Sequence, residues 1–432
     1  MDLKCVIARN VVWNVAGMAV TMLAGFVVAP FLIHHLGETT YGLWILIGSL
    51  TGYFGLLDLG VRGSVGRYIA YYHARQDQEG VNATLNTALA ILCGVAGLTV
   101  AGTVVLTLFF QQLFTVPVDQ HNAVSTALFI VGLSLAFSFP LQLFDATLWA
   151  YQRFDILNAI DIPATVVRAA LTFLLIATGG GLVALGVLAL ATTLLTGLAK
   201  VMASFRCDRQ LLVAPSLVHS EVAARIYQYG LWHCVLDIGL MISGQLSVLI
   251  IGAWVSVALV TSYSVANRLV CTATALLIAC TGVLIPVATT FDAERNERQQ
   301  QRLFIRGGQF CMVLALYFGG MFLCLGKPFI VLWMGRDLDN ASRWLSILML
   351  GQLLPMSQWV THGIILAMNR HRFMACVSMI EVAGAAALSW LWVGNRGLLG
   401  VCAAFALCST LARGLVQMAY GCKLVQVERV QY

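Results

Sequence analysis

Charge is scarce in this chain. Only 10% of its 432 residues are Asp, Glu, Lys or Arg, whereas 60% are hydrophobic. Soluble domains carry charge at about a quarter of their positions, so a soluble enzyme or a nucleic-acid-binding domain is excluded and the composition is that of a polytopic membrane protein. Aqueous loops are short as well: the longest on the side opposite the termini runs only from Lys327 to Ala341, too little for a separate catalytic domain. Cysteine motifs are missing. The 12 cysteines are scattered, none forms a Cys-x-x-Cys pair, and they read as small apolar residues of the helices. His34 and His35 have no partners at ligand spacing, and there is neither a nucleophile constellation nor a glycine-rich phosphate loop, so no metal and no cofactor is expected. A cleavable secretion signal is also lacking. Lys4 and Arg9 precede an apolar run from Val11 to Ile33 that is too long for a signal h-region and reads as the first membrane span.

What the sequence does contain is apolar runs, near residues 11–33, 41–61, 83–110, 122–150, 156–178, 181–203, 226–252, 256–288, 307–326, 342–368, 372–394 and 397–422. Each is long enough for a bilayer core of about 30 Å at 1.5 Å per residue. Most of the 25 Lys and Arg residues fall in loops on one side, which places both termini in the cytoplasm by the positive-inside rule. A weak internal repeat recurs about 216 residues on: Ala8-Arg9 as Ala224-Arg225, Trp149-Ala-Tyr-Gln-Arg153 as Leu366-Ala-Met-Asn-Arg370, and Gly181-Leu-Val as Gly397-Leu-Leu. Six spans per copy give both copies the same orientation. The expected fold is therefore an all-α integral membrane protein of about twelve transmembrane helices, in two parallel six-helix bundles around a central cavity, with lobes at 1–212 and 213–432. Pro30, Pro140, Pro163, Pro286 and Pro355 lie within spans, where each frees a carbonyl and bends its helix.

A few charges interrupt the spans. Between Asp237 and Asp292 the only charged side chain is Arg268, about 15 Å into its span if the helix enters near Val257. A guanidinium cannot be deprotonated there and costs at least about 2.5–3.5 kcal/mol, so it must face protein or water. Thr261, Ser264, Cys271, Thr272 and Ala275 share its helical face, which is small and mildly polar. The fifth span holds Asp161 and, seven residues on, Arg168; the seventh holds His233 and Asp237; the eleventh holds Glu381 and the twelfth Arg413. Asp58 and Arg62 stand four apart, acid first, the favourable order for a pair on one helical face. With Arg168, Arg268 and Arg413 set against Asp237 and Glu381, a shared cavity would be cationic and suited to phosphate oxygens. Arg62 joins these arginines as a candidate substrate residue. Asp237, His233, Glu381, Asp161 and Asp58 are candidates for ion coupling or for structural pairing, the simplest pairs being Arg268 with Asp237 and Arg413 with Glu381.

The N-terminal stretch with Gly37, Tyr41-Gly42, Asp58-Leu-Gly60 and Arg67-Tyr-Ile-Ala70, together with Gln152-Arg-Phe154, Gly326-Lys-Pro-Phe, Gly335 and Ala341, resembles the Wzx-type polysaccharide-repeat-unit flippases of the multidrug/oligosaccharidyl-lipid/polysaccharide superfamily. Tyr263-Ser-Val-Ala-Asn-Arg268-Leu is similar to the segment of lipid-linked peptidoglycan-precursor flippases that carries a required arginine, with Asn267 where those have an acid. This resemblance implies a non-enzymatic flippase of the bacterial inner membrane that carries an undecaprenyl-diphosphate-linked oligosaccharide for surface polysaccharide assembly, such as O-antigen, capsule or exopolysaccharide. It implies a lateral opening between the first and eighth spans. Membrane lipids, and a polysaccharide polymerase with its chain-length machinery, are the partners implied. Two alternatives stay open: a drug or metabolite antiporter of the same superfamily, which would favour an acidic cavity, and a membrane polymerase or ligase, which would need a large outer loop.

Overall fold

The computed structural model describes residues 3–427 except Leu59, Thr115, residues 282–283, 285–287, 289–290 and 292–295, Asn369 and His371; inside the helices, side chains are described for all but residues 3–12, 14–15, 228–241, 243 and 366–367. In chain order the helices are α1 (Leu3–Tyr53), α2 (Val61–Ala74), α3 (Gln78–Leu113), α4 (His121–Ala150), α5 (Phe154–Ala177), α6 (Leu182–Cys207), α7 (Ser220–Trp254), α8 (Val257–Thr281), α9 (Glu297–Met334), α10 (Ala341–Ser357), α11 (Trp359–Ala367), α12 (Arg372–Arg396), α13 (Leu398–Ser409) and α14 (Gln417–Val425). A seven-residue π turn, Thr410–Val416, joins α13 to α14. Among the described residues these make twelve rods. The long α1 is two of them, broken at Gly37, whose φ of 79° and ψ of 162° lie outside the helical region and suit a residue without a Cβ. Nine of the described helical segments are long and apolar enough to cross a membrane. Leu108, Leu195 and Ile380 are about 70% exposed on their flanks, the surface that acyl chains would cover.

Several boundaries differ from the apolar runs. The ninth rod begins at Glu297, not near 307, because Asn296 caps it by accepting the Gln299 N–H at 3.2 Å. It also continues through Pro328 to Met334. The expected loop from Lys327 therefore shrinks to the turn after Gly335, and Lys327 Nζ reaches back to Asp339 Oδ2 at 2.9 Å. The second rod is interrupted: a 3₁₀ turn, Phe54–Asp58, and Gly60 at φ 74° separate it from α2. Pro30, Pro140, Pro163 and Pro355 lie inside helices as expected, and Pro286 lies outside the described residues. Among the described residues ten cysteines are free thiols; Cys311, Cys402, Cys408 and Cys422 are buried, whereas Cys93, Cys271, Cys280, Cys324 and Cys376 are exposed.

The chain divides into two compact units, Met1–Ile238 and Gly239–Tyr432, and the division falls inside α7. In the first unit α4 packs on α6 and α3, and α1 packs on α5; in the second, α10 packs on α9, α8 and α13, and α12 packs on α13. The same internal details recur in both. Ser134 Oγ donates to Thr193 Oγ1 at 2.9 Å between α4 and α6, and Ser409 Oγ donates to Gln352 Oε1 at 3.1 Å between α13 and α10. A Cβ added to Gly197 would meet Leu141 beside Pro140, and one added to Gly414 would meet Leu354 beside Pro355. These pairs stand at the spacing of the sequence repeat and lock the fourth and sixth rods of each unit at close range.

The segment after α6 belongs to the first unit by its bonds. Asn82 and Asn86, one turn apart on α3, hold it as a strand would: Asn82 donates to Gln210 O and accepts the Leu212 N–H, while Asn86 donates to Leu212 O and accepts the Ala214 N–H, all at 2.7–3.1 Å. Leu211 is buried in the core with Val65, Ile69, Leu85 and Leu143. Burial would raise the Asp208 carboxyl, but hydrogen bonds from Gln78, Tyr151 and the Gln210 N–H outweigh it and hold Asp208 below the usual carboxylate value. The Tyr151 phenol is pushed well above its ordinary value by burial and by that same carboxylate.

Candidate functional site

Within the first unit the centre of charge is Lys200 on α6. Its stem enters the bundle instead of extending to the surface, and the side chain is only 10% exposed. Nζ lies 3.0 Å from Asp145 Oδ1 on α4 and 2.8 Å from Asp161 Oδ1 on α5. Asp145 Oδ1 is shut off from solvent, with the Lys200 ammonium as its adjacent counter-charge. Nearby, Arg62 Nε stands 3.8 Å from Asp58 Oδ2, and Arg62 Nη2 donates to Gln142 Oε1. The Asp58–Arg62 pair therefore forms, but across the break at Gly60 and not on one continuous helical face; Asp58 Oδ1 also accepts the Arg62 backbone N–H at 3.3 Å, capping the first turn of α2. A cavity of about 330 Å³ brings Arg62, Asp145, Trp149, Asp161 and Lys200 together. Arg168, two turns beyond Asp161, is exposed, does not border this cavity and has no ion pair among the described residues.

In the second unit Arg413 Nε donates to Glu381 Oε2 at 2.9 Å, and Glu381 is 5% exposed. Arg413 lies in the π turn, a helical irregularity frequent at functional sites. The turn is held tightly: Thr410 Oγ1 donates to Gly351 O and Ala406 O, and a Cβ on Gly351 would fall 2.4 Å from the Ala406 Cβ. A cavity of about 200 Å³ is bordered by Tyr263, Asn267, Gln352, Glu381 and Arg413. Arg268 does not border it. This side chain is exposed midway along α8 and has no ion pair among the described residues. His233 and Asp237 lie on α7, where the side chains are outside the described residues, so a pairing of Asp237 with Arg268 is outside them too.

Of the nine residues singled out by sequence, the structure thus joins Asp58 with Arg62, places Arg62 and Asp161 on one cavity, and joins Glu381 with Arg413. Asp145 and Lys200 were missed. Both lie inside apolar runs, at 122–150 and 181–203, and that position was the available signal. The two units share an arrangement: a cation on the last rod, Lys200 or Arg413, bonded to an acid on the rod before it, Asp161 or Glu381. Among the described residues no group of three His, Cys, Asp or Glu side chains could hold a metal ion.

Solved transporters share this arrangement of apolar rods. The chain superposes on a multidrug resistance MATE family transporter of the MOP superfamily, solved in an inward-facing conformation, with a TM-score of 0.77 at 14% identity, covering 93% of this chain and 98% of the other. It is similar also to a MOP superfamily transporter from Pyrococcus furiosus whose binding pocket is described as reversed in polarity (TM-score 0.67, 14% identity, 99% and 96% covered). At these identities the likeness is one of fold. Residues 7–292 match the family model described as "Polysaccharide biosynthesis protein", and the chain belongs to that family. A Shigella flexneri protein described as a "putative O-antigen transporter" is 20% identical over 432 residues, covering 96% of this chain and 97% of its own.

Proposed function

We propose that the protein is a flippase that moves an undecaprenyl-diphosphate-linked oligosaccharide from the cytoplasmic to the periplasmic leaflet of the bacterial inner membrane by alternating access, with both termini in the cytoplasm. Its work is binding and release, with no covalent step. The observation that carries the reading is the contrast among the cations within the helices of a polysaccharide-family chain. Lys200 and Arg413 are neutralised by carboxylates, whereas Arg168 and Arg268, one in each unit, are exposed at mid-helix with no ion pair among the described residues. A guanidinium kept at that depth without an acid is chemically matched to a diphosphate, whose oxygens accept its N–H groups in pairs. Arg413 and Glu381 then act chiefly as a structural pair, and Arg62 and Asp58 position the start of α2. Asp237 and His233 are the residues through which a proton could couple to the cycle. A polymerase and its chain-length machinery would receive the delivered glycan.

Transport of a fluorescent prenyl-diphosphate glycan in proteoliposomes tests this reading by comparing Arg268→Ala, Arg268→Lys and Arg168→Ala with the unchanged protein at matched insertion. Losing bidentate recognition removes about 1.5–3 kcal/mol of charge-assisted hydrogen bonding, so transport should fall by at least tenfold in both Arg268 variants. Full transport by Arg268→Ala would show that the diphosphate is held elsewhere.

A further inference from the structure

We infer that the cavity of the first unit is a subsite for a single sugar ring, reading it as part of the proposed flippase. The residues around it offer what a sugar requires and a diphosphate does not. Arg62 and Lys200 balance Asp145 and Asp161, so an anion gains no net attraction and meets two carboxylates. Hydroxyl groups both donate and accept, and here acceptors and donors alternate: Asp161 and Arg62 are each about half exposed, at 49% and 47%, while Lys200 and Asp145 sit behind them with their charges already compensated. The volume of about 330 Å³ is at the small end of the range for ligand sites, about 300–1,000 Å³.

Trp149 supplies the apolar wall. Its ring lies against bare backbone of α2: a Cβ on Gly66 would stand 3.3 Å from Trp149 Cε3, so any side chain there would press on the indole. Phe154 braces it edge-on, with centroids 6.4 Å apart and planes at 77°. Trp149 remains 53% exposed and offers a flat surface on which the C–H face of a pyranose can stack while Asp161 and Arg62 bond its hydroxyls. A tryptophan that merely anchors the membrane interface has no need of a charged cavity beside it. In the repeat, the position of Trp149 is taken by Leu366, so the aromatic wall belongs to the first unit alone. With cytoplasmic termini, Trp149 stands at the cytoplasmic end of α4, where a glycan entering from that side arrives.

The test is equilibrium binding by the protein in nanodiscs of two probes, a short-chain prenyl diphosphate and the same diphosphate bearing one hexose or one N-acetylhexosamine. The sugar should tighten binding at least tenfold. Trp149→Ala and Asp161→Asn should each abolish that gain, Trp149→Tyr should keep part of it, and the affinity for the sugarless probe, which also reports intact folding, should stay within twofold. If the sugar adds nothing to the unchanged protein, or Trp149→Ala keeps the gain, the subsite is overturned and the flippase reading stands. If neither probe binds, both fall.

Discussion

Lys200→Met removes the ammonium while keeping the length of the side chain. Asp145, with an oxygen sealed from solvent, and Asp161 then lose the cation that lies directly against both, and only Arg62 remains on the same cavity. Breaking a buried pair in this way costs about 3–5 kcal/mol. Asp161 is half exposed and Asp145 one-third exposed, so water recovers part of that and the lower end, about 3 kcal/mol, is expected. For a unit of this size each kcal/mol is worth about 2–4 °C, so the midpoint should fall by about 6–12 °C. The assay is the fraction of monodisperse protein surviving a heating series in detergent, read by size-exclusion chromatography. Adding Asp145→Asn to Lys200→Met removes the buried carboxylate as well and should bring the midpoint back to within about 3 °C of the unchanged protein, since an ion pair and its neutral replacement are often similar in stability. A single variant as stable as the original, or a double variant no better than the single, would refute the view that Lys200 is there to compensate these two acids.

Three further outcomes follow from the packing. Asn86→Ala loses the bonds to Leu212 O and Ala214 N, about 1–3 kcal/mol together, and trypsin should cut after the exposed Arg209 several-fold faster. Gly351→Ala overpacks the contact with Ala406 by about 1–3 kcal/mol, lowering the heating midpoint; Ala406→Gly should restore only part, because the Ala406 Cα is itself 2.6 Å from the new atom. Asp208, held below its ordinary value, contributes stability that is complete above its unfolded value of about 3.9 and is lost as the pH falls through the lower folded value. Asp208→Asn should therefore loosen the segment near Arg209 at pH 7, measured by amide exchange, and the difference from the unchanged protein should shrink only once the pH falls below the unfolded carboxylate value.

Rod number and the internal repeat were legible in the sequence because a bilayer demands long apolar runs and a duplicated chain repeats its punctuation. The ends of rods were less so. The start of α9 is a polar helix with an Asn296 cap, invisible to an apolar window, and the rod runs on through Pro328 to Met334. Arg413 with Glu381 and Arg62 with Asp58 could be paired by spacing or by adjacency of spans. Lys200 was not paired, although Asp161 lies on the adjacent span, because its other partner, Asp145, comes from the rod before that and only packing reveals which way a long stem runs. The hold of the two α3 asparagines on the segment after α6 is another contact that no local pattern of the sequence announces.

The central claim is the class of cargo. Unchanged protein should be reconstituted in liposomes carrying a fluorescent prenyl-diphosphate glycan in both leaflets, with a membrane-impermeant quencher added outside. Loss of signal beyond the outer-leaflet half, at a rate proportional to the amount of protein, is the expected result. A glycan that stays in its leaflet while the same vesicles expel a small organic cation would contradict it and make the protein an antiporter.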